Sequence, residues 1–115
     1  MNPSDLETMT LQQLRATRRS FFSAEWMLAL QDADAATKSS AAQQMLAVNH
    51  VIVVMENKEL SDIRDQLIAN EAPLIAGAQS LTQALQDLSK VQGVLTAVSG
   101  FLGIVSRIVP LISNV

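Results

Sequence analysis

The hydrophobic positions of the second half of the chain fall into one long register. Taking Leu60 as the first position of a heptad, Leu67, Leu74, Leu81, Leu88, Leu95 and Leu102 follow at every seventh residue, with Val109 last. The partner positions of the same heptad are Ile63, Asn70, Gly77, Ala84, Val91, Val98, Val105 and Ile112, so only Asn70 and Gly77 interrupt the seam. A seven-residue repeat sustained this long holds one helix face against a partner that supercoils with it. The pattern therefore predicts a helix over 61–112, roughly 75–80 Å long if straight at about 1.5 Å per residue. Pro73 lacks an N–H and its ring crowds the carbonyl of Ala69, and Gly77 lowers helix propensity four residues later. The stretch NEAPLIAG, residues 70–77, is thus expected to kink or break this helix, leaving one bent rod or two helices in near-continuous register.

The first half predicts two more helices. Pro3, then Ser4 with Glu7 three residues on, fits a capping box that opens a helix over 4–31. Along it Leu14, Phe21 and Leu28 recur every seventh residue, and Leu11, Phe22 and Trp26 widen the stripe to the breadth of a core-facing side. Asp32-Ala33-Asp34 is the expected break, since aspartates favour caps and turns over helix interiors. From 35 to 57, Ala41, Met45, Val48, Ile52 and Met55 step by four and three, which is a second helical seam. The β-branched run HVIVVM inside it could suggest a strand, but its flanks SSAAQQMLA and ENKELSD are helical in composition and carry no hairpin signal. Asn57-Lys58 is the next corner, with Ser61 as an N-cap and Asp62 and Asp65 where a helix dipole favours negative charge. The expected fold is all-α. It is a single domain, 1–115, built as a small bundle of three to four helices, with an antiparallel first pair packed on the long kinked third, and oligomeric.

Composition agrees with that class. Hydrophobic residues make up 49% of the chain and aromatics 3%, so the apolar content is mostly Ala, Leu, Val and Ile, which suit close-packed helices. Four glycines and three prolines are too little punctuation for many short strands. The net charge of −3 repels nucleic acid at long range, so none is expected as a partner. The opening MNPSDLETMT has no basic stretch before an apolar run, so no N-terminal signal peptide is expected, and the location expected is cytoplasmic or peripheral to a membrane.

Catalysis fails on inventory. With one His, no Cys and no Tyr, the chain has few means to build an activated nucleophile, a tuned acid or a metal site. No enzyme activity, cofactor, metal or small-molecule substrate is expected. His50, between Asn49 and Val51, reads as a partly buried histidine bonded to a neighbouring polar group. Pairs such as Asp62 with Asp65 read as solvated helix-terminus charges. A leucine-zipper transcription factor needs a basic helix before its leucines, whereas ENKELSDIRD is net acidic. Arg15, Arg18 and Arg19 share one side of the first helix; they are read as a solvated face, with contact to an anionic surface as the functional alternative.

What remains is the apolar end, 91–112. Val94 to Ile112 would measure about 28 Å as a helix, close to a hydrocarbon core of about 30 Å. Arg107 would cost roughly 2.5–3.5 kcal/mol at mid-membrane, and Pro110 lies near the segment's end. Val94, Val98, Phe101, Leu102, Ile104, Val105 and Ile108 supply the surface for lipid or a partner helix. The opposite side is small and uncharged. Gly93 with Ala97, Ser99 with Gly103, and Gly100 have the spacing and size of close helix contacts. The first expectation is a non-enzymatic protein that associates with membranes through this helix, as a pore-forming or anchored oligomer. The alternative is a soluble interaction module, such as an adaptor, small chaperone or neutralising partner, whose C-terminal helix is buried in an oligomeric interface. The partners these readings imply are another copy or a helical protein, and a lipid bilayer.

Overall fold

The computed structural model describes residues 1–109; the last stretch of the predicted third helix, with Pro110 and Ile112, lies outside the described residues. Among the described residues there are six helices and no strand: α1 Pro3–Phe21, α2 Ala24–Gln31, α3 Ala35–Asn57, α4 Leu60–Ala69, α5 Glu71–Ala84 and α6 Val91–Val105. Four of them close a ring in which α1 packs on α3, α3 on α6, α6 on α5 and α5 on α1. The polar links set directions. Met1 N meets Glu71 and Thr82 donates to Gln13, so α1 and α5 run parallel. Gln92 donates to Thr37 and Gln44 to the Leu95 carbonyl, so α3 and α6 run parallel in the opposite sense. Short α2 and α4 carry the chain between corners.

The predicted first helix divides in two. Its cap is Asn2, whose side chain accepts the Asp5 N–H at 2.8 Å with Pro3 opening the helix, instead of Ser4 with Glu7. The helix then ends at Phe21, because the Ser23 hydroxyl accepts the Trp26 N–H at 3.2 Å and starts α2. A serine that bonds nearby backbone competes with helix continuation. The break rotates α2 so that Trp26 stacks on Phe21, ring centroids 5.2 Å apart, while Phe22 and Leu28 are 57% and 63% exposed. The stripe that α1 buries is Leu6, Thr10, Leu14, Thr17 and Phe21. Both threonines enter the core because their hydroxyls bond back to the Leu6 and Gln13 carbonyls.

The long third helix is three helices. A rod over 61–112 would exceed the longest dimension of the molecule, 44 Å. The break falls at Asn70, which ends α4 and starts α5: its N–H and its side-chain amide both donate to the Gln66 carbonyl, and its own carbonyl accepts the Leu74 N–H. Pro73 stands third in α5, where its missing N–H would have had no intrahelical acceptor, so α5 itself is regular. Gly77 lies inside α5 and marks no kink. The second break spans 85–90, where Asp87 accepts both the N–H and the hydroxyl of Ser89. These two bonds hold the Asp87 carboxyl below the usual aspartate range. Ser61 lies within α4, whose N-cap position is Glu59.

Asp34 caps α3 through the Thr37 N–H at 2.7 Å, and that bond lowers its carboxyl below the ordinary aspartate value. A lowered folded value means the cap's stabilisation is fully present above the ordinary aspartate range and is lost as pH falls through the lowered value. The Thr37 amide resonance should therefore titrate in that acidic window in the native chain and stay flat in Asp34→Asn, which keeps an acceptor without a titrating proton. A Thr37 shift that survives the substitution would assign the acid sensitivity elsewhere.

Candidate interaction surface

The heptad residues are buried, but by the bundle. Leu67, Leu74, Leu81, Leu88, Leu95, Leu102 and Val109 are buried and Leu60 is half-buried, although they come from three helices and, for Leu88 and Val109, from the non-helical chain between and beyond them. In α6 and just beyond it, Val94, Val98, Phe101, Val105 and Ile108 are buried and Ile104 half-buried, covered by α5 on one side and α3 on the other. Concealment of the apolar stripe of α6 thus takes place within one chain.

The small-residue side of α6 points outward. Gly93, Ser99, Gly100 and Gly103 are exposed, Ala97 is half-buried, and a methyl group added at Gly100 or Gly103 would meet nothing within 4 Å. The close approach falls instead at Gly77, where an added Cβ would lie 3.0 Å from the Ile104 Cδ1 and 3.1 Å from a Phe101 ring carbon. Gly77 is therefore a contact glycine that lets α5 and α6 draw together. Pro73 is half-buried beside it in the same helix.

The three arginines of α1 have different surroundings. Arg15 is paired with Glu56 of α3 at 2.6 Å, and Arg19 lines a groove with Thr82 and Gln86 beside the end of α5. Arg18 is half-buried on the same helix. His50, expected to be partly buried, is exposed. Between α3 and α6 lies a hollow of about 380 Å³ lined by Thr37, Ser40, Gln44, Gln92, Thr96 and Ser99. The Gln44 Oε1 is buried there without a hydrogen-bond partner. Among the described residues, no cluster of His, Asp or Glu is arranged to hold a metal ion.

A further apolar surface, among the described residues, is one that periodicity did not indicate. Where α1 ends, α2 and the first half of α3 frame a groove of about 460 Å³. Its floor is Phe21, Trp26 and Ala41, all buried, with Leu30 and Met45 half-buried at the sides. Its walls are exposed: Phe22 57%, Met27 56% and Leu46 71%, with Ala42 between and Lys38 as the one charged lining residue. Single exposed hydrophobic residues are ordinary, but three large ones around one apolar groove are the form that partner sites take. Aromatic and methionine side chains are also the residues enriched at interface centres. A signal for it did exist in the sequence: α3 carries apolar residues beyond its inner seam, Leu46 and Val53 among them, and a helix apolar nearly all round has more than one face to cover.

The chain matches no protein-family model, no curated protein and no solved structure.

Proposed function

We propose that this protein is a non-enzymatic protein–protein interaction module that receives a partner on the α2–α3 surface. The observation behind this reading is the pairing of a finished aromatic floor, Phe21 on Trp26, with the exposed walls Phe22, Met27 and Leu46. A partner side chain entering the groove would be desolvated against a preformed surface, and preorganisation of this kind lowers the entropic cost of association. Met27 and Leu46 are more than half exposed, so charging them leaves the fold intact. Met27→Lys and Leu46→Asp, each with helical circular dichroism unchanged, are expected to abolish capture of bound protein from an extract of the native source. Identical capture by the native chain and both variants would reject the module reading.

Membrane association through α6 is a second reading, favoured by one observation. From Gln92 to Ser106 the exposed side of α6 carries no charged residue, only glycine, serine, threonine and glutamine. No helix of the described residues is long and apolar enough to cross a membrane, so this reading takes the form of a helix lying in the interfacial plane. Gly100→Glu adds charge in open space, and it should lower co-sedimentation with anionic phosphatidylserine vesicles; equal sedimentation excludes α6 as the contact.

A further inference from the structure

The outer side of α3 carries a second, self-complementary seam. Ala42, Leu46, Asn49 and Val53 step by four, three and four residues and so share one face of the helix, turned away from the buried seam Ala41, Val48, Ile52 and Met55. Leu46 is 71% and Val53 54% exposed. At the two ends of this face stand opposite charges. Lys38 and Glu56 are separated by five helical turns, which gives them the same angular position on α3, and both are exposed.

We infer that the occupant of this surface is a second copy of the chain, with the two α3 helices packed antiparallel about a two-fold axis between Leu46 and Asn49. This inference rests on the module reading above and names its partner. One register brings every position to its counterpart within one residue, an offset of about 1.5 Å along the helix that falls on the long Lys38 and Glu56 side chains. Val53 of each copy lies over Ala42 of the other, placing a large exposed residue on the smallest residue of the groove wall. Leu46 meets Asn49 across the axis. Lys38 of each copy comes opposite Glu56 of the other, whose Oε2 is already held by Arg15, so the contact completes a basic-acidic-basic cluster twice. A foreign partner has no reason to match an axis built into one helix; a two-fold interface requires that each feature be answered by its counterpart on the same surface. The α3 strip is about 35 Å long and one helix wide, which by itself falls short of the roughly 800 Å² per partner of a standard interface. Phe22 and Met27 beside the groove extend it, and the sum stays at the small end of stable interfaces. The dimer is accordingly concentration-dependent.

The test uses charge reversal in the full chain, read by light scattering or sedimentation across a concentration series. The native protein is expected to pass from 12.4 kDa to twice that mass as concentration rises. Lys38→Glu and Glu56→Lys each put like charges at both ends of the axis and should raise the dissociation constant about tenfold or more. Mixed one to one, the two variants restore both opposite-charge pairs and should re-form a dimer containing one of each. Leu46→Asp should be monomeric throughout. A native chain that stays at 12.4 kDa to millimolar concentration, or a mixture no more associated than its components, overturns the inference. Should the native chain be monomeric while Leu46→Asp still loses captured protein, the second copy is wrong and the module stands. Should Leu46→Asp change neither mass nor capture, both fall.

Discussion

Trp26→Ala is expected to be the most damaging single substitution in this protein, costing about 3–5 kcal/mol by the measure of buried aromatic truncations. Trp26 is 1% exposed and stacks on Phe21 at 5.2 Å, so the loss includes the aromatic pair, about 0.5–1.5 kcal/mol beyond burial. Domains of this size are stable by roughly 5–15 kcal/mol. One substitution would consume a large part of that margin and lower the melting temperature by on the order of 15 °C or more. Because the chain has a single tryptophan, the melt must be followed by far-ultraviolet circular dichroism. Trp26→Phe, which keeps a ring on Phe21, should recover most of the loss. If Trp26→Ala melts within a few degrees of the native chain, Trp26 is not the plug between the α1–α3 corner and the groove, and the floor of the interaction surface is misassigned.

The all-helical class was legible because so little in the chain could make turns, and because the helical flanks of the β-branched run HVIVVM outweighed its strand preference. The number of helices was not. A heptad reports that side chains seven apart are buried on one side, and it reports the same whether one rod or several helices do the burying. Leu67, Leu74, Leu81, Leu88, Leu95 and Leu102 keep their spacing across a break at Asn70 and a turn at 85–90, and Leu88 is 4% exposed without being helical. What decides between rod and bundle is local polar chemistry: the Asn70 side chain bonding back to Gln66, and Asp87 holding Ser89. The same scale of event hid the candidate site. One hydrogen bond, from the Trp26 N–H to the Ser23 hydroxyl, ends the phase shared by Leu14, Phe21 and Leu28. With that phase continued, Phe22 and Leu28 count as core; with it broken, they stand in solvent and a groove opens beside them. Thr10 and Thr17 show the converse, polar residues taken inside because each returns its hydroxyl to its own helix.

Glycine substitutions separate packing from propensity in the α5–α6 pair, and Gly77→Val carries the second large expected effect. Its Cβ would stand 3.0 Å from the Ile104 Cδ1 and 3.1 Å from the Phe101 ring. The isoleucine methyl is the end of a flexible side chain and yields; the phenylalanine, 1% exposed, has nowhere to go. Gly77→Ala sets the gain of about 1 kcal/mol from replacing a mid-helix glycine against a mild clash, and should come out near neutral. Valine adds two γ-carbons to the same space and should cost about 1–3 kcal/mol through overpacking. Gly100 is the matched control, helical like Gly77 but with nothing within 4 Å of an added Cβ. Gly100→Ala is expected to stabilise by about 1 kcal/mol, and Gly100→Val to bear only the β-branched cost that both valine variants share. The difference between Gly77→Val and Gly100→Val in urea midpoint therefore isolates the interhelical contact. Equal midpoints would mean that α5 and α6 do not meet closely at Gly77, and that the apolar stripe of α6 is less tightly covered by its own chain than the bundle requires.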